Sequence, residues 1–467
     1  VNFTMNIDSV NLQNLKLMDD NFRYHGKITG DFKTADLDHL NGELIVSRSS
    51  IAFNNDRYAL DSISLTATAD TNRNVIVLKS EFLKAHLVGK FRLTELSAAM
   101  QDVLKVYYNP NNAPPSIANY KDQNFEFSAT LNNSRFIREF LPDLEKMDNI
   151  SLDGTFNSDH KTIMAKLIAP ELIYSGIHIK DVGVDIITID STMYYSTLIN
   201  KISVNNIELN NTVLSGKVLE NNLDLGLWIK DKKDKDRYHL GGKVGINNNN
   251  YVFSLFEDGL MLNYDKWNIA ADNQLSFGKD GIRANNFRLS KNNQELLIQS
   301  ADSTIHSPVT LSFNNFRIET LTNMLQSEIL NLGGGINGEA TISRLESKPV
   351  LVSNIDIKKV YLGKDTIGNI GIKVNNLKDD TYAADIRISE YGNDVQLLGE
   401  YFSPPTGESS FTATLNLKPL KMKTIESFSL GYLENNEGDL SGILDISGTL
   451  AKPKITGDLT FHKATLN

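Results

Sequence analysis

Eight histidines are the side chains most able to carry chemistry in this chain: His25, His39, His86, His160, His178, His239, His306 and His462. Imidazole holds a metal when partners stand at ligand spacing, and no His-x-x-x-His or His-Glu pair is present. His178 and His462 fall in alternating segments, where a place on a polar strand face accounts for them. There is no cysteine, which excludes disulfides, thiolate nucleophiles and Cys-ligated metals. Glycine clusters at 240–245 (LGGKVG) and 332–338 (LGGGING) lack the Gly-Lys-Ser/Thr ending of a phosphate loop and are expected to be turns. EDG at 257–259 and KDG at 279–281 are expected to be hairpin turns, because the ligand series of an EF-hand is missing. No Gly-x-Ser-x-Gly elbow occurs. No catalytic residue, metal or cofactor is therefore expected, and the chain is not expected to be an enzyme.

Function must then lie in a surface, and the apolar pattern supplies one. Ile63, Leu65, Ala67 and Ala69 alternate with Ser62, Ser64, Thr66 and Thr68, which predicts a strand with one apolar and one wet face. Leu223, Leu225, Leu227 and Ile229 repeat the pattern, as do Leu296 with Ile298 and Leu311 with Phe313. Further on come Ile370, Ile372 and Val374, then Ile386 and Ile388, then Leu415 and Leu417. In the last segment Leu440, Ile443 and Ile446 precede Ile455, Leu459 and Phe461. The candidate lining of an apolar groove is Ile63, Leu65, Leu223, Leu225, Leu227, Ile229, Ile386, Ile388, Leu415, Leu417, Ile455, Leu459 and Phe461. Each is also an ordinary core-facing residue.

Three helical patterns interrupt the strands. Leu96, Ala99, Met100, Val103, Leu104 and Tyr107 recur at helical spacing with Thr94 placed as N-cap, and NPNNAPP at 109–115 ends that helix. A second pattern holds Phe136, Ile137, Phe140, Leu141 and Leu144, kinked or restarted at Pro142. A third, over about Glu319–Leu330, puts Leu321, Met324, Leu325 and Ile329 on one face. The simple reading is a set of helices capping sheet ends. The functional one makes Leu96, Met100, Val103, Phe136, Phe140, Leu321, Met324 and Leu325 the apolar sides of gating helices in a groove.

Composition narrows the rest. A net charge of −10 and the lack of a basic stripe argue against nucleic acid as a partner. The mixed-sign run DKKDKDR at 231–237 is expected to be a solvated turn. No run of about 18 apolar residues is present, so no membrane-spanning helix is expected. Val1 stands inside a strand-like pattern without a signal peptide, and the chain is expected to be an internal segment of a longer protein. Asn-Asn pairs, for example at 205–206, 221–222, 292–293, 314–315 and 375–376, are expected to punctuate turns, because Asn tolerates left-handed backbone.

Two stretches, Ile336 to Leu362 and Leu440 to Leu466, align without gaps. Gly338 matches Gly442, Ile342 matches Ile446, Ser343 matches Ser447 and Pro349 matches Pro453. Repeated strand–turn–strand units build extended sheets. A Gly-x-Leu-x-Ile-Ser-Gly run, a Lys-Pro, then x-Ile-x-Gly-x-Leu-x-Phe resembles the TamB family, part of the AsmA-like group of envelope proteins. LNLKPLKMKTIESFSLGYL at 415–433 is similar to that family's Leu-x-Pro-Leu segment with its short helix. VLKSEFLKAHLVGKFRLTEL at 77–96 resembles another part of long, bacteroidete-type members. Together these motifs cover about a quarter of the chain.

The expected fold is all-β: an elongated, curled antiparallel sheet of repeated strands with a few short amphipathic helices, shaped in this family as a β-taco groove. Groove segments are expected over 1–93, 148–318 and 332–467, separated by the helices and Pro-rich loop of 94–147 and the helix of 319–331. The resemblance implies a periplasmic location and a groove that takes phospholipid acyl chains between inner and outer membrane. It also implies an inner-membrane anchor and an Omp85-type outer-membrane partner, on N- and C-terminal parts beyond this segment. The alternative is a periplasmic scaffold that assists outer-membrane β-barrel assembly or secretion by offering strand edges. An outer-membrane barrel is a third reading, disfavoured by the helices and by strand faces interrupted with Lys, Asp and Asn.

Overall fold

The computed structural model describes the whole chain apart from residues 12, 15, 17–21, 35, 54–55, 111–119, 206, 248–249, 280, 323–330, 346–347, 430–431, 434 and 466–467, and apart from the side chains of 56, 139, 207, 377 and 465. Strand makes up 70% of it and helix 7%, in long antiparallel sheets that curl without closing into a barrel. The chain divides into two compact units. The first holds Val1–Asn205, Leu209–Leu225 and Asp231–Asp234; the second holds Asn206–Glu208, Gly226–Lys230 and Lys235–Asn467.

In the first unit each strand pairs mainly with its neighbours in sequence, as alternation and short turns require. One row of paired residues crosses eight strands: Leu44, Leu65, Leu78, Ala85, Ala129, Leu152, Leu167 and Val184. Period two sends the intervening residues to the other face, where Thr66, Val77, His86, Ser128, Asp153, Lys166 and Asp185 form a largely polar row. Helix α1 (Leu96–Tyr107) lies along one rim of this sheet. It buries Ala99, Val103 and Tyr107 against Phe91, Phe125, Phe156 and Val218. Helix α2 (Arg135–Phe140) lies on the opposite rim, its Phe136, Ile137 and Phe140 among Phe22, Phe53, Phe82 and Leu131.

Both helices depart from the sequence expectation at their ends. Thr94 is not the cap of α1. That position is Glu95, in helical geometry and without a side-chain cap, because the Thr94 hydroxyl donates instead to the Asp38 carboxylate at 2.9 Å. Helix α2 is not kinked or restarted at Pro142; it ends at Phe140, capped at its start by Ser134. Leu144 belongs to the strand Leu144–Met147. Of the third helix, Glu319–Thr322 (α3) is described, whereas Met324, Leu325 and Ile329 lie outside the described residues.

The second unit contains a ladder of twelve strands, from Asn268–Ile269 to Lys452–Thr465, all antiparallel. The two repeats are its hairpins Leu332–Ser343 with Val350–Leu362 and Glu437–Thr449 with Lys452–Thr465. They share one register: Gly338 pairs with Ile355 as Gly442 pairs with Leu459, and Ile342 with Leu351 as Ile446 with Ile455. The matched glycines explain the constraint. A Cβ on either, at φ +114° and +150°, would lie 2.1 Å from a backbone carbonyl oxygen of the partner strand. Gly338→Val or Gly442→Val is expected to destabilise the chain by about 1–3 kcal/mol, read as a lower unfolding midpoint in urea. Gly371→Val, whose Cβ meets nothing nearer than 3.5 Å, should leave the midpoint in place.

Several expected turns lie inside strands. LGGKVG is part of Asp236–Asn247 and LGGGING of Leu332–Ser343. The first lets Gly241 lie against Gly259, and the second spans a bulge between Gly333 and Gly335. EDG at 257–259 stands within Asn250–Leu262, opposite a register break at Leu240/Gly242; of KDG, residue 280 lies outside the described residues, and Gly281 pairs with Gly278. Asn315 marks a bulge between Phe313 and Phe316, and Asn375 and Asn376 lie in the strand Asp365–Lys378. The bulge at Asn315 uses the left-handed backbone that a turn also uses. Asn pairs therefore mark both.

Candidate functional site: an unclosed apolar sheet face

The paired residues of the twelve-stranded ladder fall into rows, and one face is apolar across three adjacent rows. The first runs Phe316, Ile336, Ile357, Ile370, Ile388, Val395 and Leu417, reaching Leu459 through Gly442. The second runs Leu289, Leu296, Phe313, Gly338, Ile355, Ile372, Ile386, Leu397, Leu415 and Leu444. The third includes Ile298, Leu311, Ala340, Val374, Ala384, Ala413, Ile446 and Ile455. Each row crosses nine or ten strands, which at about 4.8 Å apiece gives a face roughly 45 Å long.

Cover differs from row to row. Helix α4 (Met422–Phe428) packs on the first row's rim and, with Leu440, buries Val395 and Leu417. Asn393 fixes it there, donating to Ile367 O at 2.7 Å and Thr424 Oγ1 at 2.8 Å while accepting from Lys421 N at 2.8 Å. The second-row residues Ile355, Ile372, Ile386, Leu397, Leu415 and Leu444 remain half-buried. On the last strand Ile455 is 57% and Phe461 51% exposed.

Of the residues singled out in the sequence, Ile386 and Leu415 share the second row, Ile388, Leu417 and Leu459 the first, and Ile455 the third. Phe461 pairs with Leu440 on the same face. Ile443 departs from its segment: it pairs with Asp458 on the polar face and is 53% exposed. Leu65 lies in the apolar row of the first unit, and Ile63 pairs with Val46. Leu223 packs into the α1 cluster of the first unit, whereas Ile229, in the second, is buried. Leu225 and Leu227 are half-buried. Leu96, Met100 and Val103 face the α1 cluster, Phe136 and Phe140 the opposite rim, and Leu321 is 50% exposed. The α1 and α2 positions are thus on sheet rims.

The opposite face carries the charge. Lys373, Asp385, Leu398, Thr414 and Asp445 form a row there that lines a cavity of about 630 Å³. Arg387 and Gln396 hold the Asp385 carboxyl below the usual range. In the first unit Glu171 takes Lys146 and His178 as hydrogen-bond partners, with Lys180 at 3.6 Å. Lys146 first, then His178, bring its pKa down from 4.5 to about 2. A depressed carboxylate contributes stability above its unfolded pKa and loses it as pH falls to the folded one. The urea midpoint lost in Glu171→Gln should therefore be constant above about pH 5 and shrink to nothing between pH 4.5 and about 2. An equal loss at pH 2 and pH 7 would mean the variant acts through packing.

Among the described residues no group of His, Asp or Glu is placed to hold a metal ion, and no helix is long and apolar enough to cross a membrane. Comparison with protein-family models, curated proteins and solved structures finds no match.

Proposed function

We propose that the unclosed apolar face binds phospholipid acyl chains and that the chain is a TamB-like segment of the bacterial periplasm, carrying phospholipid between inner and outer membrane. The observation that carries this reading is the set of three adjacent apolar rows, half-buried along their middle line. A face of this kind needs an apolar occupant, and each buried methylene contributes about 0.8 kcal/mol. An acyl chain suits it, with its headgroup left in water. The TamB resemblance supplies the setting, including an inner-membrane anchor and an Omp85-type partner. Native mass spectrometry of the gently purified chain tests it. Several phospholipids per chain are expected, and a folded chain free of lipid would count against the reading.

A further inference from the structure

The polar face of the first unit is not polar throughout. On three consecutive strands it exposes Met164 (48%), Ile168 (43%), Ile187 (38%), Ile189 (50%), Tyr194 (42%) and Leu198 (49%). Register aligns them in two rows: Met164 pairs with Ile187 and Ile187 with Tyr194, while Ile168 and Leu198 flank Gly183 four residues along the strands. Six large side chains, each about half exposed, leave on the order of 400–500 Å² of apolar surface, where scattered single residues would be ordinary. We infer that this patch is a self-association surface, its occupant the same patch on a second copy of this chain.

Charge selects that occupant. Between the two apolar rows runs a row of alternating sign, Asp153, Lys166 and Asp185. A two-fold axis between Lys166 and Asp185 places each Lys166 against the other copy's Asp185, so the row is its own complement. An anionic bilayer would meet two carboxylates, and a basic segment would meet Lys166. Shape agrees as well. A cavity of about 550 Å³ lined by His86, Glu126, Asp153, Lys166 and Ile187 lies on this face, beside the ridge of Tyr194 and Leu198. A Cβ at Gly183 would have nothing within 4 Å, so there is room for a side chain of the partner. The same axis brings one copy's ridge over the other's cavity. Together, the patch and its charged row approach the roughly 800 Å² per partner of a standard interface, which places the dimer at the weak end.

Sedimentation velocity of the full chain, from roughly 1 to 100 µM, tests this. A concentration-dependent dimer is expected, with Leu198→Asp weakening it about ten-fold or more. The decisive arm mixes two variants. Lys166→Asp puts like charges across its own homodimer, and so does Asp185→Lys, so each alone should be monomeric. An equimolar mixture should dimerise again, because Asp at 166 then faces Lys at 185. That recovery needs no restored contact within either chain, so a folding defect cannot imitate it. A monomer at every concentration, a dimer indifferent to Leu198→Asp, or a mixture no more associated than its components would overturn the inference. Binding of the patch to phosphatidylglycerol vesicles, lost in Leu198→Asp without any dimer, would overturn it in favour of a membrane surface.

Discussion

Ile386→Arg is expected to strip co-purified phospholipid from the chain, by about ten-fold or more, while leaving it folded. Ile386 sits in the middle of the half-buried row, between Ile372 and Leu397 on the adjacent strands. A guanidinium there faces apolar side chains on both sides. An acyl chain in contact would have to desolvate the charge without any partner for it. A loss of about 1.4 kcal/mol is already ten-fold in occupancy, and desolvating an unpaired charge costs more. The fold survives because Ile386 is half-buried and Arg can turn its head to the water. Leu398 provides the control. It stands on the next strand, on the polar face, and is 49% exposed. Leu398→Arg should change the lipid content little. Equal lipid in Ile386→Arg and wild type would remove the acyl-chain reading, and equal loss in both variants would point to a general defect.

The rows around Ile386 are legible in the sequence, because alternation assigns a face without knowing the partner strand. Ile386 with Ile388 and Leu415 with Leu417 fell on one face as expected, and the repeat placed Gly338 and Gly442 in one register. Bulges were not legible. A single left-handed residue such as Asn315, or a close approach such as Gly241 on Gly259, moves the sides of everything beyond it, yet its sequence signal is that of a turn. Ile443 shows the limit of reading spacing loosely, since a step of three from Leu440 sends it to the polar face. The Met164–Leu198 patch was missed for a different reason. An apolar residue at a polar position looks like noise in one strand, and it becomes a surface only when three strands align it.

Asn393→Ala should release helix α4 without unfolding the sheet beneath it. Asn393 is 4% exposed, and Ile367, whose carbonyl it satisfies, is wholly buried. Alanine leaves that carbonyl and the Lys421 N–H unpaired, at about 1–3 kcal/mol each, and removes the bond to Thr424 at the start of the helix. Seven residues form no stable helix alone. Docking of Met422 and Thr424, 2% and 4% exposed, therefore has little in reserve. A docking loss of about 3 kcal/mol corresponds to roughly a hundred-fold. Hydrogen exchange at the Ser429 amide, which closes the helix on Ile425 O and Glu426 O, should accelerate by that factor. Amides of Thr381–Glu390 should keep their protection. Uniform acceleration would mean that Asn393 holds the whole sheet, and no acceleration would mean that burial of Met422 suffices. On the acyl-chain reading, local release widens the lining. With α4 off the rim, Val395 and Leu417 join Ile388 as open apolar surface, so the variant should carry more phospholipid per chain than wild type.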